Sequence, residues 1–350
     1  MKIYEKLKEL TLNVEKVELE RNEKQVNPEF NRVTTTVKLK GPEKTGYGED
    51  VIWDPEEHDR LQENIEELTL TEGHTLEDFS ERLSLQDLFF GKEPSRKDYR
   101  NYRTWAFESA ALDLALKQKG ISLADALSRE YSELNFIASS GLGNPPSYDK
   151  IEKIQSQVDV GLKLDATDDW SEELIEKLAE SGKVRVIDLK GHYEDEDVRQ
   201  EADPDLYRKV IDRFPEALIE DPVLNDVTRP LFDGEEERIT WDEPITSVGS
   251  IKSLPFKPEK INIKPSRFGS VRKLLDAIEY CINHEIQMYG GGQFELSRGR
   301  EHIHSIASVF YPEADSDIAP RSYNVQEPED LPSPPLKPEK GLEGLNWRFK

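Results

Sequence analysis

The sequence of 350 residues contains one cysteine, Cys281, two methionines and no long hydrophobic run. A single cysteine cannot form an intrachain disulfide, and it excludes a zinc site built from several cysteines. The first residues, MKIYEKLKEL, are charged and lack an apolar stretch of signal-peptide length, and no apolar run approaches the length of a membrane span. We therefore expect a cytoplasmic protein that does not bind membranes.

Basic residues are scarce relative to acidic ones. The chain has 47 Lys and Arg against 72 Asp and Glu, which gives a formal net charge of -25 at pH 7. Such a chain is repelled by phosphate backbones and anionic lipids, so the composition disfavours nucleic-acid partners. An acidic surface is typical of proteins from a salty cytoplasm, where ions screen the self-repulsion, but ordinary acidic enzymes share this composition. Composition leaves both interpretations open.

The first part of the chain, residues 1–130, has the pattern of a mixed α+β domain. Its β-branched stretch Val33–Leu39 predicts a strand, and Gly46–Trp53 has the pattern of a second, shorter one. Three segments have helical patterns: Glu56–Leu68, Leu76–Leu88 with Thr75 and Asp78 as its N-terminal cap, and Trp105–Lys119, which ends at Gly120.

After residue 130 the pattern changes to short apolar runs that alternate with amphipathic segments. Seven runs follow this rhythm: Phe136–Ala138, Val160–Leu164, Val184–Leu189, Ala217–Ile219, Ile239–Trp241, Ile261–Ile263 and Ile286–Tyr289. Such alternation predicts a parallel sheet with helical crossovers, and the number of runs favours a closed β/α barrel over residues 131–318. The proline-rich residues 319–350 end in Trp347 and Phe349, and we expect this tail to pack back on the body.

Charged residues follow four successive runs at the point where each run ends. Asp188, Glu220 and Asp242 follow three runs, and Lys264 follows the next. The carboxyl ends of barrel strands meet at one mouth, so these side chains are expected to converge. Converging carboxylates raise each other's pKa unless a cation joins them, and Mg²⁺ prefers such oxygen ligands. A single acid at a strand end more often caps a helix, but three in succession predict a magnesium site.

The series VIDLKG, LIEDP, ITWDEP and INIKP, followed by YGGGQFE, resembles the barrel of the enolase superfamily. The pattern is most similar to the branch of mandelate racemase, muconate-lactonising enzyme and o-succinylbenzoate synthase. YGED and AALDLAL resemble the loop and the long helix of that family's capping domain. The resemblance implies a modified TIM (β/α) barrel with an N-terminal α+β capping domain. Cap loops near residues 20–30 and 47–53 would select the substrate, and the protein would form a homo-oligomer.

The resemblance also implies roles for individual residues. Asp188, Glu220 and Asp242 stand where the family has its Mg²⁺ ligands, and Lys264 stands where the sixth strand supplies a general base. Glu295 follows the glycine run 290–292 and stands where the seventh strand supplies a polar or acidic group.

One position departs from the family pattern. The second strand of the family commonly carries Lys-x-Lys, whereas this chain has Lys163, Leu164 and Asp165. Residues two apart on a strand share a face, so both polar side chains would enter the barrel. A carboxylate replaces an expected ammonium group, which disfavours racemisation because racemisation usually needs a base on each side of the carbon.

Three residues close to the first predicted ligand have no assigned role. Lys190 either pairs with a carboxylate or points to solvent. His192 and Tyr193 either line the pocket or lie on a surface loop.

The predicted reaction is Mg²⁺-dependent removal of a proton α to the carboxylate of a small molecule, with stabilisation of the enediolate. Lys264 would take the proton, Lys163 would hydrogen-bond the enediolate, and Asp165 or Glu295 would act on the leaving group. Dehydration of an acid sugar or hydroxy acid is the favoured outcome. The alternatives are a racemase, epimerase or cycloisomerase of the same superfamily, a non-catalytic enolase-like binding protein, and an unrelated Mg²⁺-dependent barrel in which Lys264 faces away from the metal.

Overall fold

The computed structural model describes residues 2–27, 30–71, 74–193, 195–196, 198–325 and 327–349. An antiparallel sheet with helices forms the N-terminal part, and parallel strands alternating with helices form the rest. The expected loop near residues 20–30 includes positions 28 and 29, which lie outside the described residues. The described residues on either side of them belong to two paired strands.

The N-terminal sheet has three antiparallel strands in sequential order: β1 (Lys16–Asn27), β2 (Phe30–Lys40) and β3 (Thr45–Asp50). β2 and β3 confirm the two strands predicted from the sequence. β1 was not predicted, because its sequence, KVELERNEKQVN, is dominated by charged and polar residues. It is the edge strand of the sheet, where such residues face solvent and discourage pairing with another chain.

Four helices accompany this sheet: α1 (Pro55–Asn64), α2 (Leu76–Ser84), α3 (Asp98–Lys119) and α4 (Leu123–Leu127). The capping box predicted at Thr75 and Asp78 is present at the start of α2. α3 begins seven residues before the predicted start and ends at Gly120, which adopts a left-handed conformation with φ 72°. A Cβ atom at Gly48 would lie 1.8 Å from the carbonyl oxygen of Ala106, so this glycine allows β3 to approach the helix backbone.

Seven parallel strands form the second part of the chain, in two sheets. The larger sheet has the sequential order β4 (Ile137–Ser140), β5 (Gly161–Asp165), β6 (Val184–Asp188), β7 (Leu218–Glu220) and β8 (Ile239–Thr240), and the smaller one pairs β9 (Lys260–Ile263) with β10 (Gln287–Gly290). All seven lie within two residues of the predicted apolar runs. Helices follow between and after them: α5 (Asp149–Gln155), α6 (Glu172–Glu180), α7 (Pro204–Arg213), α8 (Val248–Lys252), α9 (Pro265–Phe268), α10 (Val271–Asn283) and α11 (Gly299–Phe310).

Backbone hydrogen bonds join the two parallel sheets into a ring. The Asn262 amide donates to the Trp241 carbonyl at 2.9 Å, which links β9 to the end of β8. The Asp317 amide donates to the Gly290 carbonyl at 2.7 Å, and the Ile137 amide donates to the Ser316 carbonyl at 2.8 Å. Residues 316–317 therefore bridge β10 and β4 at the position of an eighth barrel strand.

The C-terminal tail packs on both parts of the molecule. The amide of Leu345 donates to the Asp113 carboxylate on α3 at 2.8 Å. Leu336 pairs with Leu134 through two backbone hydrogen bonds. Trp347 is buried, and its ring lies 5.2 Å from that of His304 on α11.

Candidate active site

Three carboxylates meet at the carboxyl ends of β6, β7 and β8. Asp188 ends β6 and Glu220 ends β7, and the parallel register places these two residues side by side. Asp242 lies two residues beyond β8. One carboxylate oxygen from each lies within 4.8 Å of the others, and all three side chains are fully buried. The structure therefore brings together the three residues that the sequence singled out.

Two lysines contact the first two members of this carboxylate triad. The backbone amide of Lys190 donates to Asp188 Oδ1 at 2.9 Å, and its ammonium group donates to Asp188 Oδ2 at 2.7 Å. The ammonium group of Lys163, on β5, donates to Glu220 Oε1 and lies 3.4 Å from Asp188 Oδ2. The hydroxyl of Tyr289 donates to Glu220 Oε2.

The third member, Asp242, is contacted by Lys264, which directly follows β9. The Lys264 ammonium group donates to Asp242 Oδ2 at 2.6 Å, and the Tyr193 hydroxyl donates to the same oxygen at 3.2 Å. The Arg267 guanidinium also approaches Asp242, with its Nε 3.3 Å from Oδ1. No donor forms a hydrogen bond to Asp242 Oδ1 in the described part of the chain, although this atom is buried.

The donor set of the triad fits a divalent cation. Buried carboxylate oxygens close together are the ligands that hard cations such as Mg²⁺ prefer. In the described part of the chain, Asp242 Oδ1 accepts no hydrogen bond and has only an ion-pair contact with the Arg267 guanidinium at 3.3 Å, so this buried oxygen can accept a further ligand.

The carboxylates respond differently to burial and to their neighbours. Burial would raise the pKa of Asp188, but the ammonium groups of Lys190 and Lys163 outweigh it and hold this pKa below its ordinary value. Burial raises the pKa of Glu220 to about 7; Lys163 opposes this rise, and the charges of Asp188 and Asp242 add to it. Within the triad, burial therefore dominates the pKa of Glu220, whereas neighbouring ammonium groups dominate that of Asp188.

Asp165, the residue that departs from the family pattern, lies beside Lys190. It ends β5 in register with Asp188, and its carboxylate oxygen lies 3.1 Å from the Lys190 ammonium nitrogen. The side chain of Asp165 is 40% exposed, whereas that of Lys190 is 16% exposed. The family pattern led us to expect a positive charge at the end of β5. The structure has one nearby, but it belongs to Lys190 in the loop after β6.

A cavity of about 400 Å³ lies above the triad, between the barrel mouth and the N-terminal part. Lys163, Asp165 and Lys264, three of the four predicted catalytic residues, line it. The fourth, Glu295, borders a neighbouring cavity and pairs with Arg300 at 2.9 Å. The cavity is further lined by residues from both parts of the chain, including Trp53, Tyr102, Lys190, Tyr193, Arg300 and Asp317.

Arg32 on β2 fastens the N-terminal part to the cavity rim. Its guanidinium is buried and donates to four carbonyl oxygens, two on either side of the junction: Val51, Ile52, Gln293 and Phe294. The side chain also stacks on Trp53, with 4.0 Å between the guanidinium carbon and the ring centroid.

Glu49 on β3 makes a second junction with the same rim. Its buried carboxylate accepts the backbone amides of Leu296 at 2.6 Å, Ser297 at 3.0 Å and Gly299 at 2.8 Å. These two side chains, together with the residue 293–299 segment, are called the cap clamp below.

Sequence reasoning missed several residues that contact the triad. Tyr289, Asn262 and Arg267 had no assigned role, and Lys190 and Tyr193 were left undecided. Asn262 lies two residues before Lys264 on β9, and its amide approaches Glu220 Oε2 at 3.4 Å, so the alternation of the strand could have revealed it. Tyr289 lies directly before the glycine run at the end of β10. Arg267 lies in the short helix α9, and no pattern in the sequence marks it.

Models of one protein family match nearly the whole chain. The model described as the N-terminal domain of DUF8230, a domain of unknown function, matches residues 5–126, and the model of its C-terminal domain matches residues 130–325. The chain belongs to the DUF8230 family. Among curated proteins, o-succinylbenzoate synthase of Bacillus subtilis is 27% identical to this DUF8230 chain over 245 residues. That match covers 67% of the chain and only 63% of the relative, just under two thirds of its length.

Solved structures of enolase-superfamily proteins resemble the DUF8230 chain over almost its full length. An enolase-superfamily member from Listeria innocua has a TM-score of 0.67 and 20% identity, and the match covers 97% of this chain and 95% of that one. Muconate cycloisomerase from Pseudomonas fluorescens has a TM-score of 0.66 and 18% identity, with 97% of both chains covered. An L-Ala-D/L-Glu epimerase has a TM-score of 0.61 and 16% identity, with 96% of this chain and 99% of that chain covered.

These similarities confirm the resemblance to the enolase superfamily and the predicted fold class. The relatives that carry an activity in their names are enzymes, as the sequence predicted for this chain. In the described part of the chain, no helix combines the length and the apolar character that a membrane crossing requires.

Proposed function

We propose that the chain removes the proton α to the carboxylate of a small hydroxy acid, with a divalent cation at the triad, and then eliminates water. The position of Lys264 carries this proposal: its ammonium nitrogen lies 2.6 Å from Asp242 Oδ2, and its side chain lines the cavity. A general base must reach the proton that it removes from the substrate. The Lys264 side chain contacts Asp242 of the triad and also lines the cavity in which we place the substrate. The same contact argues against an unrelated barrel in which Lys264 faces away from the metal.

Asp188, Glu220 and Asp242 would hold the cation, for which we propose Mg²⁺. When bound, such an ion supplies a Lewis acid that neutralises the charge developing on the substrate carboxylate. The remaining steps belong to side chains of the cavity.

In the proposed reaction, Lys264 first releases a proton to solvent, which the positive charge of a bound divalent cation would favour. The neutral amine then accepts the α-proton, and the electron pair of the broken C–H bond enters the carboxylate to give an enediolate. Lys163, across the cavity on β5, is placed to donate a hydrogen bond to that dianion. The ammonium group of Lys190, which lies 3.1 Å from Asp165, supplies a proton that Asp165 passes to the β-hydroxyl; the C–O bond breaks, and water leaves. Asp165 takes this role instead of Glu295, because Glu295 pairs with Arg300 and borders another cavity.

The substrate class is supported by the cavity and by the relatives. A cavity of about 400 Å³ that presents Lys163, Lys190, Lys264 and Arg300 suits a small anionic molecule. The relatives include enzymes named for the carboxylates succinylbenzoate and muconate. We further propose that the chain works in the cytoplasm as a homo-oligomer, which light scattering on the purified protein would test.

Hydrogen exchange in D₂O tests the proposed function. The protein is incubated with Mg²⁺ and a library of sugar acids, N-acyl amino acids and dipeptides, and mass spectrometry records deuterium incorporation and loss of water. Lys264→Ala should abolish exchange while Mg²⁺ binding, measured by calorimetry, persists. Lys257→Ala, at an exposed position away from the cavity, should leave exchange unchanged. Exchange that survives in Lys264→Ala would remove the proposed base.

Epimerisation is the second candidate, favoured by one observation. Lys163 and Lys264 line the same cavity from β5 and β9, which are four strands apart in the ring. Two amines on opposite sides of a carbon suit inversion of configuration. Deuterium incorporated into both configurations of the substrate, without loss of water, would favour epimerisation over dehydration.

A further inference from the structure

Lys190 donates hydrogen bonds to both carboxylate oxygens of Asp188, a member of the triad. Its backbone amide occupies Oδ1 at 2.9 Å and its ammonium group occupies Oδ2 at 2.7 Å. Both oxygens of this predicted ligand therefore accept hydrogen bonds from a single residue. Asp242 differs: Lys264 occupies one of its oxygens, and the other accepts no hydrogen bond from the described residues, with Arg267 in ion-pair contact at 3.3 Å.

A divalent cation must use an oxygen of Asp188 if the triad is to bind it in full. The ammonium group and the cation are both positive, so their repulsion opposes simultaneous contact with the same carboxylate oxygen. The backbone amide of Lys190 is fixed by the chain, whereas its side chain can rotate. We therefore expect the ammonium group, and not the backbone amide, to move away from Asp188 when the cation binds.

A second carboxylate lies ready to receive this ammonium group. Asp165 Oδ1 is 3.1 Å from Lys190 Nζ, and its side chain is 40% exposed on the cavity wall. Asp165 stands at the end of β5 in register with Asp188, so both carboxylates lie within reach of the same ammonium group.

We propose that Lys190 is a built-in counter-ion of the metal site, which competes with a divalent cation for Asp188 and moves onto Asp165 when the cation binds. The proposal rests on the proposed function only in that the triad binds a divalent cation. Lys190 acts as a positioning residue, since it controls how the ligand Asp188 is occupied. Asp165 acts through Lys190.

Isothermal titration calorimetry with MgCl₂ tests the competition. Lys190→Met removes the ammonium group and should tighten Mg²⁺ binding by roughly tenfold to a hundredfold, the range expected when a charged hydrogen bond no longer opposes binding. Lys190→Arg keeps the charge and should show little of this gain. Lys257→Met changes the net charge equally at an exposed position, and its Mg²⁺ affinity should match that of the wild type.

A double-mutant cycle tests the role of Asp165. Asp165→Asn should weaken Mg²⁺ binding in the wild-type background, because Lys190 then stays on Asp188. The same change should have little further effect in Lys190→Met, because no ammonium group remains to be moved. An equal loss in both backgrounds would show that Asp165 acts on the cation directly and would overturn its role as the receiving group.

Thermal unfolding with and without MgCl₂ gives a second readout that does not need turnover. Lys190→Met should melt below the wild type without Mg²⁺ and gain more from added Mg²⁺ than the wild type does, since tighter binding stabilises the native state more. Mg²⁺ affinity in Lys190→Met that is equal to or weaker than wild type would overturn the proposal, as would a lack of Mg²⁺ binding in both proteins. Failure of the proposed reaction alone would appear as absent deuterium exchange with the competition intact.

Discussion

At the scale of single residues, Glu108 shows how burial converts an ordinary acid into a pH-dependent element of stability. It lies in the middle of α3, fully buried, and accepts the backbone amide of Val271 at the start of α10. Burial raises its pKa from 4.5 to about 7. Glu108 therefore joins the capping helix to the barrel as a neutral acid below that pH.

The pH dependence of stability follows from this shift. The carboxyl loses its proton near pH 4.5 in the unfolded chain but near 7 in the folded one, so its contribution is complete below pH 4.5 and is lost as the pH rises through about 7. We expect Glu108→Gln to match the wild type near pH 4.5 and to exceed it at pH 8 by about 3 kcal/mol in the free energy of unfolding. Urea denaturation across this range measures the difference.

The control for this prediction is Glu176→Gln, which removes the same charge from an exposed position on α6. Its stability should run parallel to that of the wild type at every pH. Parallel curves for Glu108→Gln as well would show that this carboxyl has the same pKa in the folded and the unfolded chain.

Single residues also show which contacts of the candidate site sequence reasoning can anticipate. Asp188, Glu220, Asp242 and Lys264 were predicted because each follows an apolar run, and the parallel register places them at one edge. Glu295 also follows a strand, but it pairs with Arg300, whose position on α11 the sequence does not reveal. Strand periodicity fixes which edge a side chain reaches, whereas its partner depends on packing between distant elements.

At the scale of elements, the cap clamp makes the N-terminal part and the barrel mouth one unit. Replacing Arg32 with Met would leave four carbonyl oxygens, three of them in buried contacts, without their donor. Because an unpaired buried polar group costs about 1–3 kcal/mol, we expect a loss of about 3 kcal/mol or more in the free energy of unfolding. The shift of the urea midpoint measures it.

Arg21→Met is the matched control for the clamp. Arg21 lies on β1 and pairs with Glu23 and Asp59 at the surface, so its loss should cost less than about 1 kcal/mol. Equal losses for the two variants would contradict the assignment of Arg32 as the residue that fastens the cap.

Some helices and strands can be predicted from their own sequence, whereas others form only because of the elements packed around them. The seven apolar runs predicted the parallel strands, because a strand covered on both faces is apolar throughout. α11 escaped prediction: it starts without a side-chain cap, and ten of its residues are buried. Residues 316–317 carry no strand pattern of their own, and their place in the ring comes from the strands on either side.

At the scale of the whole molecule, the net charge of -25 governs the response to salt. Ion pairs lie on the surface, for example between Lys16 and Glu18, but acidic residues exceed basic ones by far more than such pairs can neutralise. Salt screens both attraction and repulsion, and the excess of like charge makes repulsion the larger effect.

We therefore expect the melting temperature to rise by several degrees between low salt and roughly 1 M KCl, where the Debye length is about 3 Å. Differential scanning calorimetry measures the rise, and glucose at equal osmolality serves as the control, since it leaves charge interactions in place. Unfolding at low salt would indicate adaptation to a salty cytoplasm. A melting temperature that falls with KCl would show that favourable ion pairs outweigh the repulsion.

The bridge at residues 316–317 has a consequence for how the molecule is made. The carboxylate triad comes from strands that leave the ribosome one after another, so its residues can meet early in synthesis. The bond between Ile137 and Ser316 must wait until most of the polypeptide has emerged. Because contacts between residues far apart in sequence slow folding, the nascent chain carries an open row of strands from the synthesis of β5 until residues 316–317 emerge.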